Sequence, residues 1–293
     1  MRKRSNATLE QIDSIINLYA KERKSSIQIG QIFGFSKKYV LDILHRNNCP
    51  LRTAVEGRTK NNINHDYFKS IDSMDKAYFL GLLYADGCNT GTRIEISLAE
   101  EDGYILEKFK NIINHSYEIL FRNGVRKEYK NVSTFAASST IICNDLFVLG
   151  CFPRKSLTLK FPTHRQVPDY LIHHFIRGYF DGDGGIAICK NKDRPLEAQI
   201  GFTSSRDFCL ALQEFLRDKK IINTCLTTKD NTLACSIVGG GSNQIYRLYK
   251  FLYEDCEDLF LTRKKEKFEK FLFEMRNFNK DGTKKKKAEK RQQ

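Results

Sequence analysis

Apolar residues change their period several times along the chain, and each change predicts an element. From Thr8 to Arg46 they recur at helical spacing, with Ile12, Ile15, Ile16 and Tyr19 on one face of a first helix. Thr8-Leu-Glu-Gln11 is a capping box that opens it. A second helix is predicted from about Ser26 to Phe33. Gly34-Phe35 then turns the chain, and Ser36 caps a third helix with Tyr39, Val40, Ile43 and Leu44 inside. Two short helices joined at a glycine form the helix-turn-helix pattern. Periodicity is lost over residues 53–72, which are polar and rich in Asn and Lys and read as a linker.

Beyond residue 73 the period alternates between two and 3.6. Arg93–Leu98 alternates strictly between polar and apolar, the mark of a strand with one buried face. Ala198–Thr203 repeats that pattern. Tyr117–Arg122, Val132–Ala137, Cys225–Lys229 and Leu233–Val238 supply the other predicted strands. Helices are predicted at 102–113, 140–149, 206–219 and 242–253.

Two apolar segments share a finer pattern. Residues 79–87 read Phe-Leu-Gly-Leu-Leu-Tyr-Ala-Asp-Gly, and residues 176–184 read Ile-Arg-Gly-Tyr-Phe-Asp-Gly-Asp-Gly. Each copy has a small residue at its third position (Gly81, Gly178) and at its seventh (Ala85, Gly182). Residues at i and i+4 share one helix face, so each helix carries a smooth stripe. Glycine inside a helix costs about 1 kcal/mol relative to alanine. Close approach of two helix backbones would repay that cost. Each copy ends in Asp-Gly, at Asp86-Gly87 and Asp183-Gly184, and the glycines read as helix-ending residues. An aspartate at a helix C-terminus opposes the macrodipole. If the helices pair in parallel, the two carboxylates meet and repel unless a proton or cation lies between them. All-oxygen ligands that leave room for water suit magnesium.

At these residues the chain resembles the LAGLIDADG homing endonucleases. Leu149-Gly-Cys-Phe-Pro-Arg-Lys-Ser156 resembles the segment that closes the first repeat of that family, and Leu259-Phe-Leu-Thr-Arg-Lys-Lys265 the close of the second. The resemblance covers about residues 65–275. It departs from the family motif at Phe79, Tyr84 and Arg177, which makes the two halves unequal. It implies an α+β fold of two pseudo-symmetric αββαββα repeats, at 73–164 and 165–279, forming a saddle over DNA. It implies Asp86 and Asp183 as catalytic metal ligands for Mg2+, and a basic residue per half near the scissile phosphates. Lys155 and Lys264 match best, with Lys265 an alternative to Lys264. The outward strand faces, here Arg93, Glu95, Ser97, Gln199 and Thr203, would contact the major groove.

Charge extends the picture. The net charge is +14, which favours a polyanionic partner. Residues 1–60 carry twelve basic and five acidic side chains. Residues 1–52 therefore read as a helix-turn-helix DNA-binding domain, with Lys37 and Lys38 facing the groove and Arg46 and Arg52 on the backbone. Residues 280–293 read as a basic, disordered tail. Nine scattered cysteines without a Cys-x-x-Cys pair argue against zinc and for a reducing compartment, with Cys189, Cys209 and Cys235 placed inside elements. The histidines show no metal-ligand spacing. No signal peptide or membrane span is visible. The expectation is a monomeric, site-specific double-strand DNA endonuclease that leaves 3′ overhangs and acts outside the secretory route. A transcription regulator of the same fold and an intron RNA maturase are the alternatives. Retention of both acids and both lysines speaks against the regulator.

Overall fold

A computed structural model describes residues 7–22, 24–51, 63–116, 118–123, 131–189, 196–228 and 234–275. The chain divides into two compact units, residues 1–62 and 63–293. Arg52, residues 53–62 of the expected linker and the basic tail lie outside the described residues, as do Tyr117, Lys229 and Leu233 of the expected strands.

The first unit contains α1 (Leu9–Ala20), α2 (Ser26–Phe33) and α3 (Lys37–Arg46). Reciprocal capping boxes open α1 at Thr8 and Gln11, and α2 at Ser25 and Gln28. Ser36 accepts from the Tyr39 amide at the start of α3. Gly34 ends α2 in the left-handed region at φ 70°, where a side chain would be strained. Ile15, Tyr19, Ile29, Val40, Ile43 and Leu44 form the core.

The second unit runs helix, two strands, helix, two strands, helix, and then repeats that order. Its first half comprises α4 (Met74–Asp86), β1 (Gly87–Asn89), β2 (Arg93–Ala99), α5 (Gly103–Ile112), β3 (Leu120–Arg122), β4 (Val132–Ser138) and α6 (Thr140–Val148). The second comprises α7 (Ile172–Asp183), β5 (Gly184–Cys189), β6 (Glu197–Ser204), α8 (Arg206–Asp218), β7 (Cys225–Thr228), β8 (Cys235–Gly240) and α9 (Ser242–Tyr253), followed by α10 (Thr262–Met275). Each half makes a four-stranded antiparallel sheet, in the orders β1-β2-β4-β3 and β5-β6-β8-β7.

Four readings of the sequence change. Residues 63–72 are not linker, because Ile63, Tyr67, Phe68 and Ile71 are buried in the core of the second unit. Gly87 and Gly184 end their helices in extended rather than left-handed backbone, and a strand starts at each. A Cβ on Gly87 would lie 2.6 Å from the Leu83 Cα, so close packing onto the helix's last turn favours glycine there. Helix α10 arises where only a closing segment was expected. Cys189 is exposed, whereas Cys209 and Cys235 are buried.

Helices α4 and α7 are the centre of the second unit. Every residue from Ala77 to Tyr84 is buried, as is every residue from His174 to Asp181. The apolar run of α4 belongs inside a core, whereas α7 also buries His174, Arg177 and Asp181. Each fully buried Leu or Phe contributes about 1.5–3 kcal/mol. No helix among the described residues is long and apolar enough to cross a membrane.

Candidate metal centre and nucleic-acid interface

The glycine stripes bring the two central helices together. A Cβ on Gly81 would lie 2.0 Å from the Phe175 carbonyl oxygen, and one on Gly178 would lie 1.9 Å from that of Tyr78. A Cβ on Gly182 would lie 2.3 Å from the Ala85 Cβ and 2.9 Å from Asp86 Oδ2. Contacts thus advance together along both helices, which pair in parallel and in register. Asp86 and Asp183 therefore end their helices side by side, and both reach solvent.

Two buried lysines close this end. Lys155, on a short 3-10 turn, donates from Nζ to the Gly87 carbonyl at 2.6 Å. Lys264, in the first turn of α10, donates to the carbonyls of Phe180, Gly182 and Gly184 at 2.7, 2.9 and 2.7 Å. Both ammonium groups thus sit on backbone carbonyls where a helix runs into a strand. Lys265 turns away, with its Nζ 4.1 Å from the Phe260 ring centroid and 3.7 Å from Cys256 Sγ. The geometry therefore separates the two adjacent lysines that the sequence left open.

Electrostatics follow from this crowding. Surrounding protein and, after it, the charge of Asp183 push Asp86 up to about 6, against the pull of Lys264, Lys155 and Arg263. Asp183 is also raised, by the same desolvation, with Lys155 and then Lys264 opposing. Burial lowers Lys264 to about 8, against Asp181 as the leading carboxylate. Carboxylates so placed ionise more readily with a cation between them. The donor set of two carboxylates and no sulfur or imidazole fits a hard divalent ion such as magnesium.

Residues that sequence reasoning passed over hold this centre. Asp181 is fully buried, and its Oδ2 accepts from the Tyr78 hydroxyl and the Leu261 amide, both at 2.8 Å. Burial raises Asp181 to about 6. Arg177 is fully buried as well. It donates to the Leu259 and Leu252 carbonyls at 2.8 and 3.1 Å and approaches His174 Nδ1 at 2.9 Å, while lying over the Tyr78 ring. Only their polar character in a buried helix could have flagged them. The structure also gathers His173, His174 and Asp255, which the spacing did not suggest. His173 Nε2 lies 3.1 Å from Asp255 Oδ2, and burial holds His174 down to about 4.

The expected strand-face residues do point outward. Arg93, Glu95 and Ser97 alternate with buried Ile94, Ile96 and Leu98, and Gln199 and Thr203 alternate with buried Ala198, Ile200 and Phe202. Arg93 pairs with Glu95 at 2.7 Å. Hydroxyl pairs cross both sheets, Ser97 with Thr134 at 2.9 Å and Thr203 with Ser236 at 2.8 Å. The net charge of +14 is not concentrated on these faces. The described strand residues carry only two cations, Arg93 and Arg122, both in the first sheet. Beside Asp183 the second sheet forms a depression of about 430 Å³, lined by Gly185, Ala187, Gln199, Thr203 and Ser236 among others. In the first unit, Lys37, Lys38 and Arg46 are exposed at the two ends of α3.

No protein-family model matches the chain. It is 30% identical over 139 residues to a protein from Methanocaldococcus jannaschii described as a probable translation initiation factor IF-2. That match takes in 43% of this chain but 10% of the other protein, so the chain spans about a tenth of its relative's length. Among solved structures it is similar to the I-LtrWI LAGLIDADG homing endonuclease bound to target DNA, with a TM-score of 0.46 at 12% identity, covering 73% of this chain and 91% of that one. The LAGLIDADG homing endonuclease I-GzeII in complex with its DNA target gives 0.45 at 14% identity, covering 72% and 99%. The I-SmaMI LAGLIDADG homing endonuclease bound to cleaved DNA gives 0.46 at 9%, covering 71% and 89%.

Proposed function

We propose that the chain is a site-specific, metal-dependent DNA endonuclease that cuts both strands of a duplex and leaves 3′ overhangs. The observation that carries this reading is the parallel, in-register pairing of α4 and α7, which sets Asp86 and Asp183 side by side between two buried lysines.

Asp86 and Asp183 would hold Mg2+. When bound, a divalent ion lowers the pKa of attacking water and offsets charge on the attacking and leaving oxygens. Lys155 and Lys264 would set fixed positive charge beside the scissile phosphates, anchored on carbonyls rather than free in solvent. Preorganised charge of this kind stabilises a transition state without reorganisation at the moment of reaction. Two such lysines allow one cleavage centre per strand. The halves would act as pseudo-symmetric repeats forming a saddle, with Arg93, Glu95, Ser97, Gln199 and Thr203 reading base edges. Residues 1–52 would act as a helix-turn-helix domain, with Lys37, Lys38, Arg46 and Arg52 adding contacts and affinity through linkage. A single chain would thus serve both strands as a monomer.

The test is incubation of the full chain with a randomised duplex library and magnesium, followed by sequencing of the ends. The reading predicts one recurrent sequence cut on both strands with 3′ overhangs. Enrichment by binding without cleavage would replace it with a DNA-binding regulator, and preference for structured intron RNA over duplex DNA would replace it with a maturase.

A further inference from the structure

Six consecutive residues, Leu259–Lys264, are each fastened to the rest of the second unit. The Leu259 carbonyl accepts from Arg177, and the Phe260 carbonyl accepts from the Tyr104 hydroxyl at 2.7 Å. The Leu261 amide donates to Asp181, and the Thr262 amide donates to the Tyr104 oxygen at 2.7 Å. Arg263 Nε donates to the buried Asp102 at 2.7 Å, and Lys264 ends on its three carbonyls. Asp102 and Tyr104 belong to the first half, so both halves grip this strap.

Asp181 is the centre of that grip. One oxygen takes two hydrogen bonds, from Tyr78 on the opposing central helix and from the strap itself. The helix interface and the strap are thereby joined through one atom. The corresponding sixth residue of the first motif is Tyr84, whose hydroxyl donates to the Leu149 carbonyl in the segment leading to Lys155. The same position thus anchors the lysine-bearing segment in both halves, by an acceptor in one and a donor in the other. The other Asp181 oxygen, Oδ1, is buried without a partner.

We propose that Asp181 is a positioning residue that fixes the Leu259–Lys264 strap against the paired helices and so places the Lys264 ammonium for one of the two strand cleavages. This rests on the endonuclease reading, but part of its test does not. Asp181→Asn keeps an oxygen where Tyr78 and Leu261 donate and puts the amide nitrogen where no partner stands. Asp181→Ala removes the tether.

The first measurement is the rate at which an amine-acylating reagent modifies Lys264 in the full chain, read by mass spectrometry with Lys155 as internal control. In Asp181→Ala, Lys264 should become more reactive by about tenfold while Lys155 is unchanged, since a freed side chain loses its fixed geometry. Asp181→Asn also withdraws the carboxylate charge that raises the Lys264 pKa, so rates are compared at the free-amine limit of each pH profile, where Asp181→Asn should match the unmodified chain. The second measurement is the rate of each nick on a selected duplex. Asp181→Ala should slow one strand by about tenfold to a hundredfold, so that nicked product accumulates, and Asp181→Asn should restore balanced cutting. Unchanged Lys264 reactivity in Asp181→Ala would overturn the proposal, as would equal gains at Lys155 and Lys264 or an Asn variant as impaired as the Ala one. If the unmodified chain cuts no DNA, the endonuclease reading fails while the acylation result still decides the tether.

Discussion

At the residue scale, the central fact is that two carboxylates face each other's charge with two lysines beside them. Asp86 rises from its usual 3.8 to about 6, so within that interval the folded chain binds more protons than the unfolded one. Stability therefore falls as pH rises through the interval. Asp86→Asn lacks this penalty. Its melting temperature should exceed that of the unmodified chain at pH 7.5, with the gap narrowing through the interval and closing only below 3.8, where the carboxyl becomes protonated in both states. Scanning calorimetry across that range checks the sign, and a gap that widens toward acid would contradict it. Magnesium should raise the melting temperature of the unmodified chain at pH 7.5 and raise that of Asp86→Asn less, since a ligand stabilises only the state that binds it.

The placement of Asp86 and Asp183 at the ends of two paired helices was legible because a repeated motif carries them. Asp181 and Arg177 sit in the same motif, yet their roles were not legible. A buried polar side chain in a helix depends on partners such as Tyr78, Leu252, Leu259 and Leu261, which no local pattern reveals. Cys189 was misjudged for a similar reason. It lies on the outward face of β5, opposite Glu197, and that face is set by register rather than by composition.

At the scale of elements, the small residues decide whether the core can form. Gly178→Ala would drive a methyl group into the Tyr78 carbonyl, a backbone atom that cannot step aside. Overpacking of this kind costs about 1–3 kcal/mol. Gly185→Ala is the matched control, because nothing lies within 4 Å of the new Cβ. Urea titration should show a lower midpoint for Gly178→Ala and almost no change for Gly185→Ala. Equal midpoints would mean that the helices approach less closely than described. The main strands and helices were legible from period alone, because one face of each meets the core. Strands β1 and β5 were not. They begin at Gly87 and Gly184, which read as helix stops, and β1 has only three residues. Helix α10 was hidden by the charged run Arg263, Lys264, Lys265 and Lys267, which obscures the helical period of the buried Phe268 and Phe271.

At the scale of the whole molecule, charge and its location part company. The chain carries +14, while the described strands contribute two arginines and one of these is paired with Glu95. Strand faces so nearly neutral would discriminate among bases more than they attract phosphate. On the proposed reading, attraction would come from other parts, with the exposed lysines of α3 as candidates. Replacing Lys37 and Lys38 together by Ala should lower affinity for duplex DNA and reduce the slope of log K against log salt by about 0.9 for each phosphate that is no longer neutralised. Binding titrations between low and moderate salt measure that slope. An unchanged slope would remove α3 from the interface. The two units have separate cores, so the substitutions should leave the melting of the larger one untouched.

The account stands or falls on the joint role of Asp86 and Asp183. The most direct measurement is cleavage of each strand of a selected duplex by the unmodified chain, Asp86→Asn and Asp183→Asn, in magnesium, with binding followed in parallel. Both variants should bind the duplex and fail to sever it. Full double-strand cleavage by either one would contradict the account.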